Sequence, residues 1–401
     1  MEKEYILHRE KISKLMDNNT IMVLFANKNY ESKLEPNKNF LYATNIKENE
    51  DILIIVKEND LSKSIVFIRP YDEFFAKWNG HTLTKEEAHE LSGADEVLYL
   101  DEFESTLNAY LEKGFGLYVD HPQKRENDVT KDYIDVFVES IKTKTNLLDG
   151  RKLIQTARTT KTPFEVEQIR KAIDITDKGI RALLDNLKPG LYEYQLESYF
   201  DQTLKFNGST SFAFDTIAAS GGNATCLHYS TNDSELNDND LILFDLGATK
   251  DYYCADISRT FPVSGKFSPR QKEIYNIVLG GQQHVFNHVK PGITTRELNN
   301  KLIEYYQVEL KRIGLIEKDE EVAKYYYHGV SHHLGLDCHD LCDYTPLLAG
   351  AVITVEPGLY IAEENIGIRI EDDVLVTEDG MINLSEQIIK TVEEIEDYLN
   401  K

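Results

Sequence analysis

Two rhythms of hydrophobic and polar positions alternate along the chain. In the first 150 residues, short apolar and β-branched runs at 21–25 (IMVLF), 52–56 (ILIIV) and 65–68 (IVFI) stand between polar loops, the pattern of buried strands. The segment NFLYATNI, at 39–46, lies between the first two. Around residue 150 the stretch LLDGRKLIQTARTTKTP is polar and reads as a linker. Thr162 then serves as an N-cap, Pro163 fits the first helical position and Glu165 completes a capping box. Val166, Ile169, Ile173, Ile180, Leu183 and Leu187 recur at helical spacing, so one face turns inward, and the helix is expected to stop at Lys188-Pro189-Gly190.

The same grammar returns downstream. Ser268, Pro269 and Gln271 open a second helix, which ends at Lys290-Pro291-Gly292, 102 residues after the first stop. Leu196 and Leu298 share that offset, and Gly208 and Gly314 follow at 106. Asp245 and Glu356 then correspond at 111, and Asp256 and Glu371 at 115. The second part therefore reads as a duplicated helix-helix-strand-strand unit. Two copies cannot make a solenoid. They can make a pseudo-symmetric sheet, covered by helices, whose halves each bring two carboxylates to one cleft. The expected class is α/β (α+β), with a smaller α/β domain at 1–150 and a larger one at 151–401; a chain of 401 residues exceeds the size at which one core stops growing.

Charge and cysteine usage narrow the setting. A net charge of −25 makes nucleic acid and anionic membrane unexpected partners. The start, MEKEYILHREK, lacks the apolar core of a signal peptide, and no apolar run approaches the roughly 20 residues that span a bilayer. Cys226, Cys254, Cys338 and Cys342 show no paired zinc spacing and read as reduced thiols of a cytoplasmic protein.

Candidate chemistry sits where apolar runs meet acids. LILFDLGATKDYYCADISRT carries Asp245 and Asp256, AVITVEPGLY carries Glu356, and IGIRIEDD carries Glu371. A buried, unpaired carboxylate is costly, so four of them call for cations. HGVSHHLGLDCHD adds His328, His332 and His339. The four-residue spacing of His328 and His332 matches the helical HExxH motif, but Gly329 stands where that motif needs Glu, so the zincin reading fails. Gly329, Ser331 and Gly335 favour a strand or tight loop, where 328 and 332 still share a face. One histidine can then ligate a metal while the others handle substrate.

These motifs resemble the pita-bread metallopeptidase family, the group of Xaa-Pro aminopeptidases, prolidases, creatinases and methionine aminopeptidases. FDLGA, ADISRTFPV, HGVSHHLGLDCHD, TVEPGLY and GIRIEDDVLVT follow the family's order from about residue 150 to the end. The resemblance implies a pita-bread catalytic domain with the ligand set Asp245, Asp256, His332, Glu356 and Glu371. Asp256 and Glu371 would bridge two divalent ions, Asp245 would chelate one, and His332 with Glu356 would complete the other. Such an oxygen-rich set suits manganese, with cobalt or zinc as alternatives. Two ions sharing a water give a bridging hydroxide near neutrality. Glu356 would take its proton and pass it to the departing amine. His228, in CLHYSTND, and His339 would hydrogen-bond the substrate carbonyl or oxyanion. His328 would line the site toward the residue after the scissile bond, Arg369 would hold Glu371, and Tyr360 would assist.

NFLYATNI resembles the family's creatinase-type amino-terminal domain. In relatives with that domain an aromatic from a neighbouring subunit reaches the active site, which makes Trp78, the sole tryptophan, a candidate substrate contact; the alternative is a half-buried packing residue. Homodimers or homotetramers are implied likewise. Cys338 stands where the family prefers Val or Ile, and His333 where relatives carry an aromatic or small residue. The other histidines, at 8, 81, 89, 121, 284, 288 and 333, read as surface residues. The implied reaction is that of an Xaa-Pro aminopeptidase acting on peptides with proline second. A prolidase restricted to dipeptides is the alternative, and a non-catalytic binding module for basic partners is a third reading, opposed by the retention of all five ligands.

Overall fold

The structure, a computed structural model, describes residues 2–27, 36–121, 132–209, 211–343 and 346–401. Contacts divide the chain into two compact units, Met1–Ala157 and Arg158–Lys401. The division falls inside a helix, Arg151–Thr159, so the stretch read as a polar linker is helical over most of its length and opens with a short strand, Leu147–Asp149. Its polar residues enclose Ile154 and Ala157, three positions apart and both buried, which gives it an inward face.

The first unit rests on the three apolar runs. They form β1 (Thr20–Phe25), β2 (Ile52–Glu58) and β3 (Leu61–Ile68), joined by β4 (Glu96–Tyr99), β5 (Gly116–Val119) and β6 (Leu147–Asp149) in the order β4-β3-β2-β1-β5-β6. β1, β2 and β3 pair antiparallel and the outer pairs are parallel. Every residue of β1 is buried, as its unbroken apolar sequence requires. NFLYATNI forms a short helix, Lys38–Thr44, capped by the Asn37 side chain and ended by Asn45 in the left-handed region.

His8 departs from the surface position expected for it. The helix Glu2–Leu15 buries Tyr5, His8, Arg9 and Ile12, a single face, and the His8 ring stacks on Tyr42 with centroids 3.9 Å apart. Trp78 departs the other way. Its helix, Glu73–Asn79, buries no residue, and the indole is 75% exposed, so it is not a half-buried packing residue.

The second unit shows the expected duplication. Helices Pro163–Leu184 and Pro269–Phe286 both open with Pro at the start and a capping box, Thr162 with Glu165 and Ser268 with Gln271. Each ends earlier than its Lys-Pro-Gly stop, and Leu187 lies outside the first. Proline disfavours helical backbone at the residue before it, so the chain leaves through tighter bonds: the Leu187 amide donates to the Leu184 carbonyl at 3.2 Å, and His288 to Val285 at 2.8 Å. Gly190 and Gly292 then hold matching φ angles of +82° and +88°. A second helix follows in each half, Glu193–Phe206 and Thr295–Arg312.

Strands complete both halves. The first contributes β7 (Ile217–Ser220), β8 (Leu241–Leu246), β9 (Thr249–Lys250), β10 (Tyr253–Cys254) and β11 (Ile257–Pro262). The second contributes β12 (Val352–Val355), β13 (Gly358–Ile361), β14 (Ile366–Arg369), β15 (Asp372–Val376) and β16 (Met381–Asn383). Sheets β11-β8-β7 and β12-β15-β16 are the counterparts, with β13 pairing β14. Direct hydrogen bonds join the halves. The Glu371 amide donates to the Ser258 carbonyl at 3.0 Å, and Arg259 Nη1 donates to the Glu371 carbonyl at 2.6 Å.

A buried ion cluster fixes the loop after His332. Lys161 Nζ lies 2.8 Å from Asp340 Oδ2, Arg158 also bonds Asp340, and Arg158 Nη2 reaches Asp337 Oδ2 at 2.7 Å. The Asp340 amide donates to the carbonyl of His333, which is buried and not at the surface. Burial raises the Asp340 pKa, but Arg158 and Lys161 outweigh it and hold the carboxyl at about 2. A depressed pKa contributes stability above the unfolded value of about 3.9, lost as pH falls through the folded one. Asp340→Asn is therefore expected to cost about 3–5 kcal/mol near neutrality by removing the carboxylate that Lys161 and Arg158 share. That gap should close between pH 4 and pH 2. Urea unfolding followed by circular dichroism checks this; the only tryptophan, Trp78, lies in the other unit and would not report it.

Candidate active site

Each of the four acids stands at a strand end of the second unit. Asp245 is the penultimate residue of β8, opposite Ser258 on β11 and Ile217 on β7. Asp256 immediately precedes β11, two positions before Ser258 and so on the same face. Glu356 follows β12 and Glu371 precedes β15. Strand ends let a carboxylate leave the apolar layer without breaking a ladder, which is why Asp245, Glu356 and Glu371 each close an apolar run and Asp256 opens one.

The histidine-rich segment is extended, as its glycines and serine indicate. It runs beside β12: the Glu356 amide donates to the Val330 carbonyl at 2.9 Å, Thr354 to His332 at 2.9 Å, and Leu334 to Val352 at 3.0 Å. With a period of two, His328 and His332 face one cavity while His333 turns inward, which explains its burial.

That cavity has a volume of about 510 Å³ and is lined by Asp245, Asp256, His332, Glu356 and Glu371 together. His228, His328, His339 and Arg369 line it too, and Phe214, Ile217 and Leu227 form an apolar wall. Tyr360 lies just behind, its hydroxyl 2.8 Å from His328 Nε2 and 3.2 Å from Arg369 Nη1, whose N–H it accepts. Trp78 is not among the lining residues.

Distances place the groups in one constellation. His332 Nε2 is 3.4 Å from Asp256 Oδ2 and 3.7 Å from Glu356 Oε1, and its ring stacks on His339 with centroids 4.0 Å apart. Arg369 Nη2 donates to Asp245 Oδ2 at 2.5 Å and Nε to Ser258 Oγ at 2.7 Å. The guanidinium thus meets Asp245 and not Glu371. β14 ends at Arg369 and β15 begins at Asp372, so Glu371 lies between the two strands and does not share a strand face with Arg369. Glu371 Oε2 instead accepts from Ser258 Oγ at 2.7 Å. Ser258 was missed in the sequence, although its place two residues after Asp256 on an expected strand marked it. Cys338 Sγ donates to Asp256 Oδ2 at 2.9 Å.

The electrostatics of this cluster ask for cations. Burial, then the charges of Asp256, Glu356 and Asp245, push Glu371 far above the usual carboxyl range. Burial also raises Asp245, against the pull of Arg369. Glu356 is pushed to about 7, first by burial and then by Asp256 and Asp245, with His332 and Arg369 opposing. His332 moves to about 9: burial disfavours its charge, but Asp256 and Glu356 more than compensate. His328 falls to about 4, mainly through burial and then Arg369. A proton on His332 is thus standing in for positive charge. Remove it, as ligation requires, and one guanidinium faces four carboxylates. Two divalent cations balance that set, and oxygen ligands with one imidazole suit hard ions. The residues present fit such a centre; Asp256, His332 and Glu371 already bring ligand atoms within 4.8 Å of one another.

Comparisons with known proteins agree with this geometry. Residues 167–378 match the model of metallopeptidase family M24, and residues 5–118 match the aminopeptidase P amino-terminal domain. The Xaa-Pro aminopeptidase of Haemophilus influenzae is 32% identical, over 100% of this chain and 97% of its own. Among solved structures, a Bacillus anthracis protein provisionally named an aminopeptidase P is 43% identical with a TM-score of 0.95, covering 100% of this chain and 98% of that one. Escherichia coli aminopeptidase P with the inhibitor Pro-Leu is 32% identical with a TM-score of 0.89, at the same coverage.

Proposed function

Because the chain belongs to metallopeptidase family M24, we propose that it is an Xaa-Pro aminopeptidase, releasing the first residue of peptides whose second residue is proline. The observation that carries the reading is the convergence of Asp245, Asp256, His332, Glu356 and Glu371 on one cavity. These residues would hold two divalent ions, with manganese favoured by the carboxylate-rich set. When bound, the pair polarises the scissile carbonyl and lowers the pKa of the attacking water.

The chain's own groups divide the remaining work. Glu356 lines the cavity and would accept a proton and return it to the proline nitrogen as the bond breaks. His228 and His339 line the cavity where they can donate to the developing oxyanion. Arg369, Ser258 and Tyr360 form a hydrogen-bonded train that orients Asp245 and Glu371. His328 and the apolar wall are suited to the proline ring. The amide before proline is tertiary and shielded, so a shaped pocket is needed to attack it.

The same reading includes a homodimer or homotetramer, with Trp78 of a neighbouring subunit at the site, and a cytoplasmic location. Among the described residues the four cysteines form no disulfide, and no helix is long and apolar enough to cross a membrane.

Side-by-side assays test the activity. The manganese-loaded protein is expected to release the first residue from Xaa-Pro-Yaa tripeptides and to leave Xaa-Ala-Yaa intact. Cleavage of Xaa-Pro dipeptides alone would make it a prolidase, and cleavage of neither would return it to the binding-module reading.

A further inference from the structure

Glu193 opens the helix Glu193–Phe206, and its side chain is 0% exposed. No cation pairs with it among the described residues. Five donors converge on it instead. Oε1 accepts from the Ser220 amide at 2.7 Å, Ser220 Oγ at 2.7 Å and Asn223 Nδ2 at 3.1 Å. Oε2 accepts from Tyr229 Oη at 2.8 Å and the Ser234 amide at 3.0 Å. A buried carboxylate survives without a cation only where hydrogen bonds to its charged form replace water.

The donors bracket one loop. Ser220 and Asn223 precede His228, while Tyr229 and Ser234 follow it. Backbone bonds tie the far end to the same helix start: the Glu193 amide donates to the Ser234 carbonyl at 3.0 Å and the Tyr194 amide to Asn232 at 2.8 Å. His228 sits exposed between these anchors, and among the described residues its ring takes no hydrogen bond from the chain. Its place at the cavity is therefore set by the backbone around it.

We propose that Glu193 is a positioning residue, which draws both limbs of the 220–234 loop onto one carboxylate and so aims His228 at the substrate carbonyl. The inference rests on the role given to His228 above. Nothing in composition or spacing marks Glu193, because its partners are 27 to 41 residues away.

A double-mutant cycle on the manganese-loaded full chain tests it, with Glu193→Gln, His228→Ala and the pair assayed on an Xaa-Pro-Yaa tripeptide. Glu193→Gln should lower kcat by about a hundredfold, the scale of a misplacement of about 1 Å, with KM nearly unchanged and metal content at the wild-type level. The pair should lose no more than His228→Ala alone, since an unaimed imidazole is already lost. Tyr229→Phe, which removes one donor and keeps the packing, should show a smaller loss of the same kind; it carries the test should Glu193→Gln not fold. Losses that multiply in the double variant would reduce Glu193 to general stability and overturn the proposal. Full activity in His228→Ala would instead remove the role of His228. Full activity in Glu193→Gln and Tyr229→Phe beside an impaired His228→Ala would remove the positioning role alone.

Discussion

Glu356→Ala should lose at least about a thousandfold in kcat on Xaa-Pro-Yaa peptides, the range attributed to a positioned acid or base. The residue has two duties in the proposed site, ligand and proton carrier, so metal content must be measured beside turnover. The metal-free variant should behave differently from the inactive enzyme it resembles. Burial and then the charges of Asp256, Glu356 and Asp245 raise the Glu371 pKa, and burial with Asp256 and Asp245 raises that of Glu356, which means that these acids are destabilised by their neighbours' charge. Deleting one removes like-charge repulsion. Chelated Glu356→Ala is thus expected to melt a few degrees above the chelated wild type, on a scale of roughly 2–4 °C per kcal/mol for a unit of this size. A lower melting temperature in the absence of metal would contradict the picture of four acids held together against repulsion.

Removal of metal is the second large effect. Chelation should abolish turnover, and manganese should restore it. It should also lower the melting temperature, because each ion that binds only the folded chain stabilises it by about 2.7 kcal/mol at a hundred times its Kd, roughly 5–10 °C per ion here. His332→Ala should hold clearly fewer than two metal equivalents by elemental analysis. An enzyme fully active after exhaustive chelation would overturn the metal assignment for all five residues.

The parts of this molecule written in local pattern were legible. Apolar runs marked β1, β2 and β3; capping residues marked both long helices; and acids interrupting apolar runs marked the four carboxylates, since such placement is costly without a purpose. The offset between the two Lys-Pro-Gly stops exposed the duplication. What sequence hid was decided by distant partners. Arg369 meets Asp245 and not Glu371 because β14 ends at Arg369 and Glu371 leads into the next strand, β15, so the two do not share one strand face. His333 is buried because a period of two on the extended segment sends it opposite to His332. His8 is buried because a helix face with Tyr5, Arg9 and Ile12 carries it inward. The helix at Arg151–Thr159 was masked by its polar majority.

The joining of the two halves has a consequence for synthesis. The Ser258 hydroxyl and the Glu371 carboxylate that share a hydrogen bond are 113 residues apart in the chain. Closing so long a loop is slow and must await nearly the whole polypeptide. A nascent chain that has emerged only through Asp256 owns two of the five proposed ligands and none of the second half's sheet to hold them. Peptidase activity is therefore expected to be absent until synthesis has passed Glu371, and a ribosome making this protein releases no cutting edge before the second half's acids have emerged.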